Sequence, residues 1–109
     1  LRKIMNELEI FNRLQDLIAA RKSATSKSSY TRSLFEKGHD HLLKKFGEEA
    51  IEVVMASKDN NSKHLVCELA DLWFHSLVLM GYHNITMDDI ASELERREGV
   101  SGLEEKASR

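Results

Sequence analysis

Residues 65–80 read Leu-Val-Cys-Glu-Leu-Ala-Asp-Leu-Trp-Phe-His-Ser-Leu-Val-Leu-Met, and this stretch decides the fold. Leu65, Val66, Leu69, Leu72, Trp73, Phe74, Leu77, Val78, Leu79 and Met80 make it apolar nearly all round. A helix of that kind is buried, either in the middle of a bundle or at a subunit interface. Besides Cys67, its ionisable side chains are Glu68, Asp71 and His75. At about 100° per residue they stand at roughly 0°, 300° and 340°, one narrow line on an apolar cylinder. Aspartate is a poor helix-interior residue, and burying an unpaired carboxylate is costly. These groups must therefore be protonated, paired with a lysine of another helix, or bound to metal.

Working outward, Asp59-Asn60-Asn61 is a turn, and Ser62 serves as the N-cap of a helix over about 63–82. Before the turn, a helix from about Asp40 to Lys58 carries Leu43, Phe46, Ala50, Val53, Val54 and Ser57 on one side. Glu48, Glu49 and Glu52 fall at roughly 0°, 100° and 40° on its opposite face. Earlier still, Ile4, Leu8, Phe11, Leu14 and Ile18 recur at helical spacing to about Arg21. Residues 22–29 are small and polar, a loop or hinge, and residues 30–35 suggest a short helix stopped by Gly38. Downstream, Thr86 and Asp89 form a capping box opening a helix to about Arg97, and Val100 to Arg109 is a polar tail. With no strand-period segment, repeat or domain boundary, the expectation is one all-α domain over 1–109, a bundle of four to five helices.

Composition agrees. The 109 residues are 41% hydrophobic and 31% charged, with no proline and five glycines, which reads as globular helices joined by short turns. Sixteen Lys+Arg against 18 Asp+Glu leave a net charge of -2, so no basic field advertises nucleic acid. The single cysteine, Cys67, allows neither an internal disulfide nor a cysteine zinc cluster and suits a reducing compartment. No apolar run approaches the roughly 18 residues that span a bilayer, and the N-terminus lacks a signal-peptide core, so no membrane partner is expected. The 63–82 helix is apolar on too many sides for one small bundle to cover, which predicts a homodimer whose interface includes Trp73 or its neighbours.

The short turn should set the two long helices antiparallel, so that Glu49-x-x-Glu52 meets Glu68-x-x-Asp71, with Glu48 as a fifth carboxylate. Such charges repel unless a divalent cation neutralises them, and an all-oxygen set suits Mg²⁺, with Mn²⁺ also admissible. Mg²⁺ usually shares its shell with substrate phosphates, which points to metal-assisted phosphoanhydride cleavage. A di-iron bundle needs two Glu-x-x-His pairs; Glu36 to His39 is the lone one and Gly38 interrupts it. His39 and His41 read as exposed turn histidines, and Cys67 as a small buried hydrophobe. There is no Walker loop, dinucleotide fingerprint or nucleophile elbow. Lys44, Lys45, Lys58, Arg96, Arg97, Lys106 and Arg109 are placed to meet phosphates, although Lys44 and Lys45 equally make ordinary surface pairs with the glutamates.

Three runs together resemble the phosphoribosyl-ATP pyrophosphohydrolase family. They are Ser29-Tyr30-Thr31-x-x-Leu34 through Lys44-Lys45-Phe46-Gly47-Glu48-Glu49-Ala50-x-Glu52, then Glu68-Leu69-Ala70-Asp71-Leu72-Trp73-Phe74-His75, then Arg97-Glu98-Gly99-x-Ser101-Gly102-Leu103-Glu104-Glu105-Lys106-Ala107-Ser108-Arg109. The acidic core is common to the wider all-α nucleotide pyrophosphatases; the Ser-Tyr-Thr segment and the tail narrow the resemblance to this family. It implies hydrolysis of phosphoribosyl-ATP to phosphoribosyl-AMP and pyrophosphate, the second step of histidine biosynthesis, by a Mg²⁺-dependent cytoplasmic dimer. It also implies a working or fused partnership with a phosphoribosyl-AMP cyclohydrolase. For that reaction Glu49, Glu52, Glu68 and Asp71 are expected to hold the metal and Glu48 to accept the proton of the attacking water. Lys44, Lys45, Lys106 and Arg109 bind phosphates, and Ser29, Tyr30 and Thr31 contact the substrate. The competing readings are a house-cleaning nucleoside triphosphate pyrophosphatase and a non-catalytic helical dimerisation module.

Overall fold

The computed structural model describes residues 2–23 and 29–109, with side chains from residue 9 onward. Ile4, Leu8 and most of the polar 22–29 segment lie outside the described side chains or residues. Among the described residues there are six helices and no strand: α1 (Arg2–Lys22), α2 (Tyr30–Glu36), α3 (His39–Lys58), α4 (Ser62–Tyr82), α5 (Met87–Arg97) and α6 (Gly102–Ser108).

The all-α expectation holds, and the count of four to five is corrected to six. The added helix, α6, lies in what composition alone made a polar tail. Ser101 caps it by accepting from the Glu104 N–H, and Glu105 is buried against the end of α5, where Arg96 Nη2 donates to it at 2.6 Å. Seven residues do not sustain a helix in water unaided, so that ionic contact anchors α6. The carboxyls of Glu93 and Glu105 both sit below the usual carboxylate range, first because Arg96 donates hydrogen bonds to them; Glu93 is held at about 2. Folded values depressed from 4.5 mean that this support is present above pH 4.5 and lost as pH falls through the depressed values. Glu105→Gln is expected to collapse amide-exchange protection across 102–108 while leaving α3 and α4 protected; unchanged protection in α6 would show that other contacts hold it.

Caps account for most boundaries. Thr86 and Asp89 form the expected reciprocal box at the start of α5. The N-cap of α4 is Asn61, whose Oδ1 accepts from His64 N–H, so Ser62 is the first helical residue rather than the cap. Gly38 separates α2 from α3 at φ 93°, a conformation that costs any residue with a Cβ.

α3 and α4 pack against each other more than any other pair. Glu49 lies near Asp71 and His75, whereas His39, earlier on α3, stacks on Tyr82 at the far end of α4, so the two run antiparallel. The core is Ile18, Leu34, Leu42, Leu77 and Val78, with Phe11, Leu14, Phe35, Phe74, Met80 and Met87 against it. At Gly81 a Cβ would approach Ile18 Cγ2 to 3.2 Å, so glycine is what lets α1 close on α4. Lys22 then donates to the Gly81 carbonyl at 2.8 Å, capping the negative end of α4.

Several sequence expectations are corrected. α3 buries Leu42 and Ala56, while Val54 and its neighbours Ile51 and Met55 are exposed. Cys67 is exposed rather than a core residue; the incomplete cover of α4 within one chain, with Val66 64% and Trp73 45% exposed, is as its apolar breadth predicts. By length and composition α4 is also apolar enough to cross a membrane, because two acidic residues are diluted among its leucines and valines. His39 and His41 are half-buried and sit in the first turn of α3; His39 stacks on Tyr82 with ring centroids 4.5 Å apart.

Candidate metal centre between α3 and α4

Glu49 stands mid-way along α3 on the side that meets α4. Glu68 and Asp71, one turn apart on α4, face it. One carboxylate oxygen from each of Glu49, Glu68 and Asp71 lies within 4.8 Å of the others. Two unit charges at that spacing repel by about 1 kcal/mol in bulk water and about 3.5 kcal/mol at an effective dielectric of about 20. Glu49 shows the strain: burial, then the charges of Asp71, Glu68 and Glu52, push its carboxyl above the usual value of 4.5, and Lys45 only partly opposes them.

Two imidazoles flank the trio. His64 Nε2 lies 3.2 Å from Glu68 Oε1, one turn away on α4. His75, buried, places Nε2 4.0 Å from Glu49 Oε1. Burial and the nearby Lys45 push the His75 imidazole below 6.5, while Asp71 pulls the other way. Sequence reasoning placed His75 on the acidic line but gave it no task, and it missed His64 altogether. The signal for His64 was its i,i+4 relation to Glu68.

The sequence expected five carboxylates to converge; three do so. Glu52 is exposed, near enough for its charge to act on Glu49 but outside the trio. Glu48 is exposed and 3.9 Å from Lys45 Nζ. Lys45 is half-buried beside Glu49 and Lys44 is exposed. Ser29 is buried and caps α2 by accepting from the Arg32 N–H, a structural task the sequence did not assign it. Tyr30 is exposed, its ring stacked 6.4 Å from that of Phe74, and Thr31 is half-buried. Arg96 and Arg97 are committed to Glu93 and Glu105 rather than free for phosphates. Lys106 and Arg109 lie on and just after α6, Arg109 Nε 3.7 Å from Glu105.

Three clustered oxygens and no sulfur make a donor set for a small, hard divalent cation, which relieves the repulsion by taking the place of protons. Because Glu49's folded value is raised above 4.5, its contribution to stability is complete below that pH and is lost as pH rises through the raised value. Added Mg²⁺ is therefore expected to raise the melting temperature at pH 7–8 and to do little near pH 4, where protons compete for the site. At a hundred times its Kd the gain is about 2.7 kcal/mol. A Mg²⁺ effect equal at both pH values would place the ion elsewhere.

A model of the phosphoribosyl-ATP pyrophosphohydrolase family matches residues 11–98 of the chain. Relatives bearing the name phosphoribosyl-ATP pyrophosphatase are similar over nearly the full length. One from Chromobacterium violaceum is 54% identical over 101 residues, 93% of this chain and 94% of its own. One from Nitrosospira multiformis is 50% identical over 105 residues, 96% of this chain and 87% of its own. A third, from an Azoarcus species, is 48% identical, covering 96% and 98%.

Proposed function

The chain belongs to the phosphoribosyl-ATP pyrophosphohydrolase family, and on that premise we propose that the acidic pocket between α3 and α4 is where it does its chemistry. The enzyme is a phosphoribosyl-ATP diphosphatase: it hydrolyses phosphoribosyl-ATP to phosphoribosyl-AMP and pyrophosphate, the second step of histidine biosynthesis. The observation that carries the site is the convergence of Glu49, Glu68 and Asp71 from two helices onto one point.

Glu49, Glu68 and Asp71 would hold Mg²⁺, or Mn²⁺ in its place, with Glu52 joining from the rim. When bound, the cation supplies charge neutralisation on the phosphates and acidifies water. Glu48, outside the trio, accepts the proton of the attacking water. Lys44 and Lys45 lie along the same helix and take the phosphate charge, and Lys106 and Arg109 add to it from the tail. Tyr30 and Thr31 touch the substrate from the start of α2, and Ser29, by capping that helix, sets their place.

The working unit is a homodimer. Val66, Leu69 and Trp73 on α4 face Ile10, Phe11 and Leu14 of α1 across an open apolar groove of about 370 Å³, and Ile51, Val54 and Met55 of α3 are also uncovered. A second copy would remove these side chains from water. The chain acts as a single domain in the cytoplasm, beside or fused to the cyclohydrolase that takes its product.

Turnover measured on phosphoribosyl-ATP and on ordinary nucleoside triphosphates, with and without Mg²⁺, tests the assignment. Metal-dependent release of pyrophosphate from phosphoribosyl-ATP, with triphosphates slow by comparison, is the expected result. Preference for triphosphates would make the pocket that of a house-cleaning pyrophosphatase. No turnover and no metal binding would leave a dimerisation module.

A further inference from the structure

We propose that His75 is a positioning residue for Glu49: from the core side it holds one oxygen of that carboxylate, so that the other is presented to Glu68 and Asp71. The inference rests on the acidic pocket being the metal site. His75 is 7% exposed, two residues before the core pair Leu77 and Val78. A phenylalanine or leucine would fill such a volume without a polar group to satisfy. What faces the imidazole is instead the machinery of the pocket: Glu49, Lys45 and His41 from α3 and Asp71 from its own helix. Phe74, its neighbour on α4, lies edge-on to the ring, centroids 5.3 Å apart. Glu49 needs such a partner because the terminal torsion of a glutamate is broad, and among the described residues His75 is the side chain that approaches its carboxylate from the core side.

The 4.0 Å from His75 Nε2 to Glu49 Oε1 is longer than a hydrogen bond. Contacts of this kind tighten when a site fills, and closing by roughly 1 Å brings the pair into range. His64 makes the comparable approach to Glu68 but is exposed, so water competes for it. His75 is the shielded one. Carboxylate ligands are commonly oriented by a hydrogen bond from outside the metal's own shell, and losing that partner weakens metal binding about tenfold to a hundredfold.

Mn²⁺ is the probe, titrated into the full chain without substrate and followed by its electron-spin resonance signal. Turnover and thermal unfolding are measured on the same samples. Wild type should bind Mn²⁺ and Glu49→Gln should not; binding that survives in Glu49→Gln removes the metal-site reading and this inference with it. His75→Phe, which keeps a ring and loses the donor, should bind Mn²⁺ about tenfold more weakly or worse, with kcat falling more than KM rises. His75→Gln, which restores a donor nitrogen at similar reach, should recover most of the loss. Wild-type affinity in His75→Phe, or equal losses in the two variants, overturns the proposal. Should His75→Phe fail to fold, the imidazole ¹⁵N spectrum of wild type decides. The Nε2–H tautomer, with an Nε2 resonance that moves on adding Mg²⁺, is the expected result; the Nδ1–H tautomer or an unmoved resonance overturns it.

Discussion

Asp71→Asn is expected to lower turnover of phosphoribosyl-ATP by roughly a thousandfold or more, a loss of about 4 kcal/mol of transition-state stabilisation. It should do so without harming the fold. Asp71 is exposed, and its charge is among the causes that raise the Glu49 carboxyl, so replacing it with a neutral isostere relieves repulsion in the metal-free protein. The melting temperature without Mg²⁺ should therefore hold or rise slightly, while the gain on adding Mg²⁺ shrinks. Glu52→Gln should act in the same direction on turnover. The measurement is activity and thermal unfolding of each variant with and without Mg²⁺. Near-normal turnover in Asp71→Asn, or a variant that unfolds, would make Asp71 a structural ion-pair partner and end the metal-site reading.

Val66→Glu is expected to convert a dimer into a stable monomer, raising the dissociation constant by a thousandfold or more. Val66 is 64% exposed within one chain, so a glutamate there meets water in the monomer and costs little. In a dimer built on the same face it would be an unpaired charge in an apolar interface. A standard interface buries about 800 Å² per partner, and the uncovered side chains of α3 and α4 are of the kind that supply it. Light scattering at micromolar concentration should give twice the 12.5 kDa chain mass for wild type and the single mass for the variant. A wild-type monomer would mean that the apolar face is covered in some other way.

The long helices were legible because their signals are local. Helical periodicity, the absence of proline and the Thr86–Asp89 box act over one or two turns, and each fell where the backbone uses it. The acidic line was legible for the same reason: Glu68 and Asp71 stand out on an apolar helix whatever packs against it. The tail was not legible. Its seven-residue helix depends on Glu105 finding Arg96, a pairing that no local pattern announces. The apolar stripe of α3 was only partly legible: Phe46, Ala50 and Val53 are half-buried, but α1 and α2 cover Leu42 rather than Leu43 or Val54, because exposure within one chain depends on where those helices dock.

By itself, then, the sequence determined helices, an antiparallel hairpin of the two longest, and carboxylates at a spacing that points to a hard cation. Only the tertiary structure decided which of those carboxylates meet. Glu49, Glu68 and Asp71 converge, whereas Glu48 and Glu52 stand off. Helical spacing fixes angles around one axis, but the rotation and register of two helices against each other are set by packing, here by Ile18, Leu34, Leu42, Leu77 and Val78. That packing also brings His75 against Glu49, a contact that neither helix specifies alone.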